Sequence, residues 1–139
     1  MNTIKFLSIA FFLFFHSAFT FSQSEIDTTW NGAIDIMGTK LGFAVKFTTT
    51  GSEVKAVMDI PEQGAMGLEL DKVSFKNPKI HFELPAESRT AVFDGIYYLD
   101  SMGGTFSQSG INGRFQLVRG ELKDQTAPDT TEKTFNSEE

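Results

Sequence analysis

Cysteine is absent from the chain. That excludes disulfides, thiolate metal ligands, thiol nucleophiles and lipid attachment at an N-terminal cysteine. Histidine is scarce, with His16 inside an apolar leader and His81 alone beyond it. One histidine without cysteine argues against a structural zinc site, which takes three or four His, Cys or carboxylate ligands. Positive charge is also short. Lys and Arg number 12 against 18 Asp and Glu, for a net charge of -6. A nucleic acid is therefore a poor partner, because phosphate contacts need a basic surface, and anionic membrane surfaces are disfavoured for the same reason. No apolar run reaches the about 20 residues that span a bilayer.

Several catalytic signatures are missing too. There is no Gly-x-Ser-x-Gly pentapeptide to form a nucleophile elbow. No glycine loop leads into a helix to cradle phosphate; Gly103-Gly104 lies inside a strand pattern. A serine triad would need a histidine base. Alternation places His81 opposite Ile80 and Phe82, on the outer face, where it reads as a solvent-facing strand residue. Three carboxylate pairs invite a test for acid–base work: Asp59 with Glu62, Glu69 with Asp71, and Asp94 with Asp100. All fall at turns or on wet faces and read as solvated charge. The acids near the C-terminus lack the alternating ligands of a calcium loop. These readings predict a chain that is not an enzyme and that carries no metal and no cofactor.

What is present begins with a leader. Lys5 supplies a positive start, Phe6–Phe15 an apolar stretch of about ten residues, and Ser17, Ala18, Thr20 and Ser22 a small-residue stretch. Seven of the 15 phenylalanines fall here: Phe6, Phe11, Phe12, Phe14, Phe15, Phe19 and Phe21. Residues 1–22 read as a secretory signal, cleaved after Ser22 or after Ala18. The expected location is periplasmic or secreted, with no membrane span once the signal is removed.

Next comes an odd–even rhythm. In Lys40–Thr48, Leu41, Phe43, Val45 and Phe47 fall on one face and the intervening residues on the other. After Gly51 the pattern resumes with Val54, Ala56, Met58 and Ile60. A period of two marks antiparallel sheet with one face on a core, and Gly51 suits a tight hairpin. Trp30, Gly32, Ile34 and Ile36 alternate in the same way after a short polar lead-in. So do Ile80, Phe82 and Leu84, then Ala91, Phe93, Gly95 and Tyr97, then Met102, Gly104 and Phe106, and last Phe115, Leu117 and Arg119. Pro61 ends a strand, and residues 61–67 read as a loop. Asp71-Lys72 reads as a bend or bulge, and residues 107–113 as turn-rich.

The count is eight or nine short strands without a helix, which predicts an all-β fold over residues 24–120. A meander of about eight strands closes most simply as a small up-and-down, calycin-like barrel, with a strongly curved sheet or a sandwich as the alternative. Trp30, Phe43, Val45, Phe47, Met58, Phe75, Phe82, Phe93, Phe106 and Phe115 should share its interior. They either fill it or line a cavity for one small apolar ligand. Residues 121–139 are polar and acidic and read as a disordered tail or a truncated linker.

Certain stretches together resemble a known family. They are Trp30-Asn31-Gly32, Lys40-Leu41 with the alternating apolar residues after it, the segment from Met58 to Ala65 with Gly67, Val73-Ser74-Phe75, and Phe93-Asp94-Gly95. Gly104-Thr105-Phe106-Ser107-Gln108-Ser109-Gly110 and Leu117-Val118-Arg119-Gly120 complete the set. The chain from Trp30 to Gly120 is similar to the N-terminal β-domain that precedes the catalytic domain in secreted α/β-hydrolases of Bacteroidetes-type bacteria. The loop carrying Pro61, Gln63, Gly64 and Gly67, and the stretch with Gln108, are the most specific parts. The family's Gly-Ile-Pro after that loop is here Gly67-Leu68-Glu69. The 139 residues hold none of the family's catalytic positions. The resemblance implies a non-catalytic accessory module whose partner is a hydrolase domain or protein. A free-standing carrier of a small hydrophobic ligand is the alternative. Gln63 and Gln108 are expected to cap strand ends through backbone groups.

Overall fold

The computed structural model describes residues 24–120. The leader and the acidic segment named above lie outside the described residues. The described chain is all-β: nine antiparallel strands in one nearly closed, barrel-shaped sheet. The strands are β1 (Thr29–Ile36), β2 (Thr39–Thr50), β3 (Glu53–Ile60), β4 (Ala65–Glu69), β5 (Asp71–Lys76), β6 (Lys79–Leu84), β7 (Ala91–Tyr98), β8 (Ser101–Gln108) and β9 (Ile111–Arg119). Their order in the sheet is β4-β3-β2-β1-β9-β8-β7-β6-β5. It is a meander except for one long-range step, in which β1 pairs with β9.

The tight hairpins form where the backbone can turn left-handed. Met37 and Gly38 (φ 54° and 87°) join β1 to β2, and Ser109 and Gly110 (φ 52° and 79°) join β8 to β9. Two residues at positive φ match the twist of the flanking strands. Two expected loops are shorter than the sequence suggests. Residues 61–67 hold one 3-10 turn, Pro61–Gln63, and Ala65 already opens β4. In 107–113 only Ser109 and Gly110 turn; their neighbours belong to β8 and β9. Glycine content misled in both places, because Gly67 and Gly113 are tolerated inside strands.

The seam forms where β4 and β5 meet end to end. Leu70 alone separates them, and its amide donates to Ala56 O at 3.0 Å. One half of this bent segment pairs with β3 and the other with β6. Lys72 stands at φ 47°, and the β5–β6 register shifts between Asp71 and Ser74. A bulge of this kind lets one strand serve both sides of a closing sheet.

The inner face packs into one core. Trp30, Phe43, Val45, Phe47, Met58, Phe82, Phe93, Phe106 and Phe115 are buried, and Phe75 is half-buried against them. Ile26, Ile34, Ile80, Met102 and Leu117 join them. The aromatic rings touch in series. Phe93 stacks on Phe82 at 4.7 Å between centroids and meets Phe106 at 5.3 Å, Phe115 at 5.5 Å and Phe43 at 5.7 Å. These are the separations at which ring pairs attract. Trp30 Nε1 donates to Ile26 O at 3.0 Å, so the polar end of the one tryptophan is satisfied inside. No buried side-chain polar atom among the described residues lacks a partner.

Inner-face glycines set the curvature. A Cβ on Gly32 would lie 1.9 Å from Gln116 O, and one on Gly104 would lie 2.0 Å from Asp94 O. The sheet bends there more tightly than any side chain permits, which is how glycine kinks turn a sheet into a barrel.

Candidate functional site

Among the described residues the inner face is a packed core, and the registers define what the outer face presents. Three cross-strand rows run over it. The first is His81, Asp94, Thr105, Arg114, Asp35 and Lys40, from β6 to β2. The second is Lys79, Ile96, Gly103, Gln116, Ala33 and Gly42. The third is Tyr98, Ser101, Val118, Asn31 and Ala44, from β7 to β2. Small residues in the second row, Gly103, Ala33 and Gly42, leave a depression between the other two.

This depression is an open groove of about 1990 Å³. It runs into a basin of about 460 Å³ over β5 and β6, and the two share Ile96, Gly103 and Gly104. The groove exceeds the roughly 300–1,000 Å³ of small-molecule sites and suits a macromolecular segment better. Pro61 and Glu62 of the 3-10 turn close its β2 end, where Gly42 N donates to Glu62 Oε1 at 3.3 Å. Ala44, outward by alternation, is nonetheless buried. Opposite it in the registers stand Asn31 and Asp59.

His81 does lie on the outer face, but it is not merely solvated. Nδ1 lies 2.6 Å from Asp94 Oδ1, and Nε2 lies 3.2 Å from Glu83 Oε1. Glu83 also pairs with Lys72 at 3.1 Å. Carboxylates only accept, so two such bonds need a proton on both ring nitrogens. The bond to Asp94 raises the His81 pKa above 6.5, against a smaller lowering by burial. The bond from Lys72 lowers the Glu83 pKa below 4.5, helped by His81. With both nitrogens taken, no serine or threonine hydroxyl bonds the ring among the described residues. The arrangement makes an ion-pair ladder across β5, β6 and β7, without the nucleophile–base contact of a hydrolase.

The other candidate carboxylates do not converge: Glu69 and Asp71 stand exposed on either side of Leu70, and the rest are engaged separately. Asp59 accepts from Gly67 N at 2.6 Å, Glu62 from Gly42, and Asp100 pairs with Arg119 at 3.3 Å. Arg119 also covers the Trp30 ring at 4.6 Å and so caps one end of the core. Gln108 Nε2 donates to Arg89 O at 2.9 Å and ties β8 to the loop before β7. Gln63 makes no such bond among the described residues, and its turn is closed by Gly64 N to Pro61 O at 2.9 Å. No group of three His, Cys, Asp or Glu that could hold a metal occurs among the described residues. Nor do these residues contain a helix long and apolar enough to cross a membrane.

Sequence reasoning missed the groove and the partners of His81. Glu83 was within reach of it, since residues two apart on a strand share a face. Asp94, Arg114 and Lys40 needed registers that the alternation leaves open. In comparisons with known proteins, no family model, no curated protein and no solved structure matches the chain.

Proposed function

We propose that this chain is a non-catalytic β-barrel module that works by docking a protein partner against its outer groove. The observation that carries this reading is the occupied interior. Trp30, Phe43, Phe47, Phe82 and Phe93 are each at most 1% exposed, so the space a carrier would reserve for cargo is taken by ring contacts. The groove spans five strands and exposes Ile96 and Val118, which are 51% and 48% accessible. Exposed apolar residues beside polar ones are the usual make-up of a protein contact surface. The resemblance to the domain preceding secreted α/β-hydrolases names a hydrolase domain or protein as the partner, and the leader names the periplasm or the exterior as the place. Among the described residues His81 bonds Asp94 and Glu83 and no hydroxyl, which fits this reading.

Photo-crosslinking tests the reading. A photoreactive residue is placed at Gln116 in the groove, with a control at Lys55 on β3, away from it. Capture of an α/β-hydrolase from the native host at Gln116 and not at Lys55 is expected. Equal capture at both positions, or a co-purifying lipid seen by native mass spectrometry, would refute it.

A further inference from the structure

β5 is a weakly held strand. It stands at one end of the sheet order, so among the described residues it ladders with β6 alone. None of its side chains is fully buried; Val73 and Phe75 are half-buried, and Phe75 meets Tyr97 at 5.4 Å. Like charges stand opposite each other at both ends of the β5–β6 pairing, Asp71 with Glu83 and Lys76 with Lys79. Such pairs destabilise a sheet. Between them the register shifts, and Lys72 sits in the bulge at φ 47°, a strained backbone for a residue with a Cβ. Cationic charge on Glu83 offsets its repulsion from Asp71. Lys72 Nζ lies 3.1 Å from Glu83, and His81 Nε2 lies 3.2 Å from it. Nδ1 of the same ring lies 2.6 Å from Asp94 of β7. The other charged groups around this hub are not joined to it among the described residues. Lys76 and Lys79 face each other, Glu53 and Lys55 of β3 pair together at 3.8 Å, and Arg114 of β9 stands beyond Thr105 of β8.

Loss of the His81 proton unbalances this set. A neutral imidazole donates from one nitrogen only, and the shorter bond, to Asp94, is the one that survives. Nε2 then turns a lone pair toward Glu83. The Glu83 side chain is only 12% exposed, so it cannot turn to water as Asp94, at 61%, can. It stays opposite Asp71 with Lys72 as its remaining ion-pair partner. We infer that β5 is a pH-gated edge of the barrel: a protonated His81 keeps it on β6, and loss of that proton lets it open while the other strands stay paired. The bond to Asp94 raises the His81 pKa above 6.5, so the edge is held in acid and loosens as pH climbs through the raised value. Opening frees the backbone edge of β6 and uncovers Phe75 beside the basin over β5 and β6. A bare strand edge is a template for pairing with another chain, so the gate makes a conditional contact surface. It does not depend on the docking reading above.

The test is native-state hydrogen exchange of the full 15N-labelled chain at increasing urea, between about pH 5 and about pH 8.5. Rates are read as protection factors, which removes the intrinsic rise of exchange with pH. The protected amides of β5 are expected to exchange through an opening with a small urea slope, while those of β1 and β9 follow the full slope of global unfolding. Protection on β5 should fall about two- to fivefold over this range, the scale of one partly exposed ion pair. The midpoint of the fall should coincide with the titration of the His81 ring, followed by NMR and assigned by its loss in His81→Gln. That variant keeps one donor but no charge. It should hold β5 at the low protection at every pH, with β1 and β9 still protected, which shows that it folds. Full-slope exchange of β5 overturns the inference, because the strand would then leave only with the whole barrel. So does small-slope protection that ignores pH, or that falls with pH equally in His81→Gln.

Discussion

Replacing Phe93 by alanine probes the core where its contacts converge. Phe93 is 1% exposed and meets four other rings, Phe43, Phe82, Phe106 and Phe115, at 4.7–5.7 Å. Truncating a buried phenylalanine costs about 3–5 kcal/mol, through lost transfer free energy and the cavity left behind. Neighbours held by the β-ladder cannot collapse into the space, and ring pairs add about 0.5–1.5 kcal/mol each beyond area, not additively. The upper part of the range is therefore expected, about 4–5 kcal/mol. For a domain of this size that lowers Tm by roughly 15–40 °C, and the loss is a large part of a typical stability of about 5–15 kcal/mol. Urea unfolding followed by the fluorescence of Trp30, the one tryptophan, reads it directly. Phe75→Ala, half-buried at the edge of the same core, should cost less than half as much. A loss below about 1 kcal/mol for Phe93→Ala, with an unchanged denaturant slope, would mean that the rings do not fill the interior, and the argument for an outer-surface function would lose its basis.

Gly104→Ala should be among the worst small substitutions, because its Cβ would sit 2.0 Å from Asp94 O and 2.6 Å from Gly95 Cα, both backbone atoms. A loss of about 3 kcal/mol or failure to fold is expected, while Gly38→Ala, with open space around it, should cost only the strain of its positive φ, about 1 kcal/mol; thermal melts of both decide. The His81 ladder should give stability a pH optimum. Its raised pKa contributes stability that is full below 6.5 and lost as pH climbs through the folded value, whereas the lowered pKa of Glu83 contributes stability present above 4.5 and lost as pH falls through its own folded value. Melts from pH 3 to 9 should therefore peak between about 4.5 and 6.5 for this ladder, and His81→Gln should flatten the alkaline side; an unchanged alkaline slope would show that the imidazolium is not held by Asp94 and Glu83.

The inner face was legible because a strand repeats every two residues, so each segment announced its buried set without reference to its neighbours. Phe43, Val45 and Phe47 needed no register to be assigned inward. The curvature was less legible. Gly95 and Gly104 could be placed on the inner face, yet only the β7–β8 pairing shows that each faces the other where a Cβ has no room. The outer groove was illegible for a related reason: Gly42, Ala33 and Gly103 sit on three strands, and Gly103 is 61 residues from Gly42 in the chain but only three strand steps away in the sheet. His81 was judged from its own strand, which reveals Glu83. The stretch between β6 and β7 leaves open which β7 residue lies opposite, and that residue is Asp94.

The most direct measurement uses the methionine methyls. Met58 and Met102 point into the core at 0% and 1% exposure, while Met37 and Met66 stand outside at 98% and 62%. In a 13C-methyl NMR titration with a medium-chain fatty acid, the Met58 and Met102 signals should stay fixed at every ratio, with any shift confined to Met37 and Met66. Saturable movement of the two inner methyls would reveal a barrel that admits cargo and would contradict a filled core with its function on the outer face.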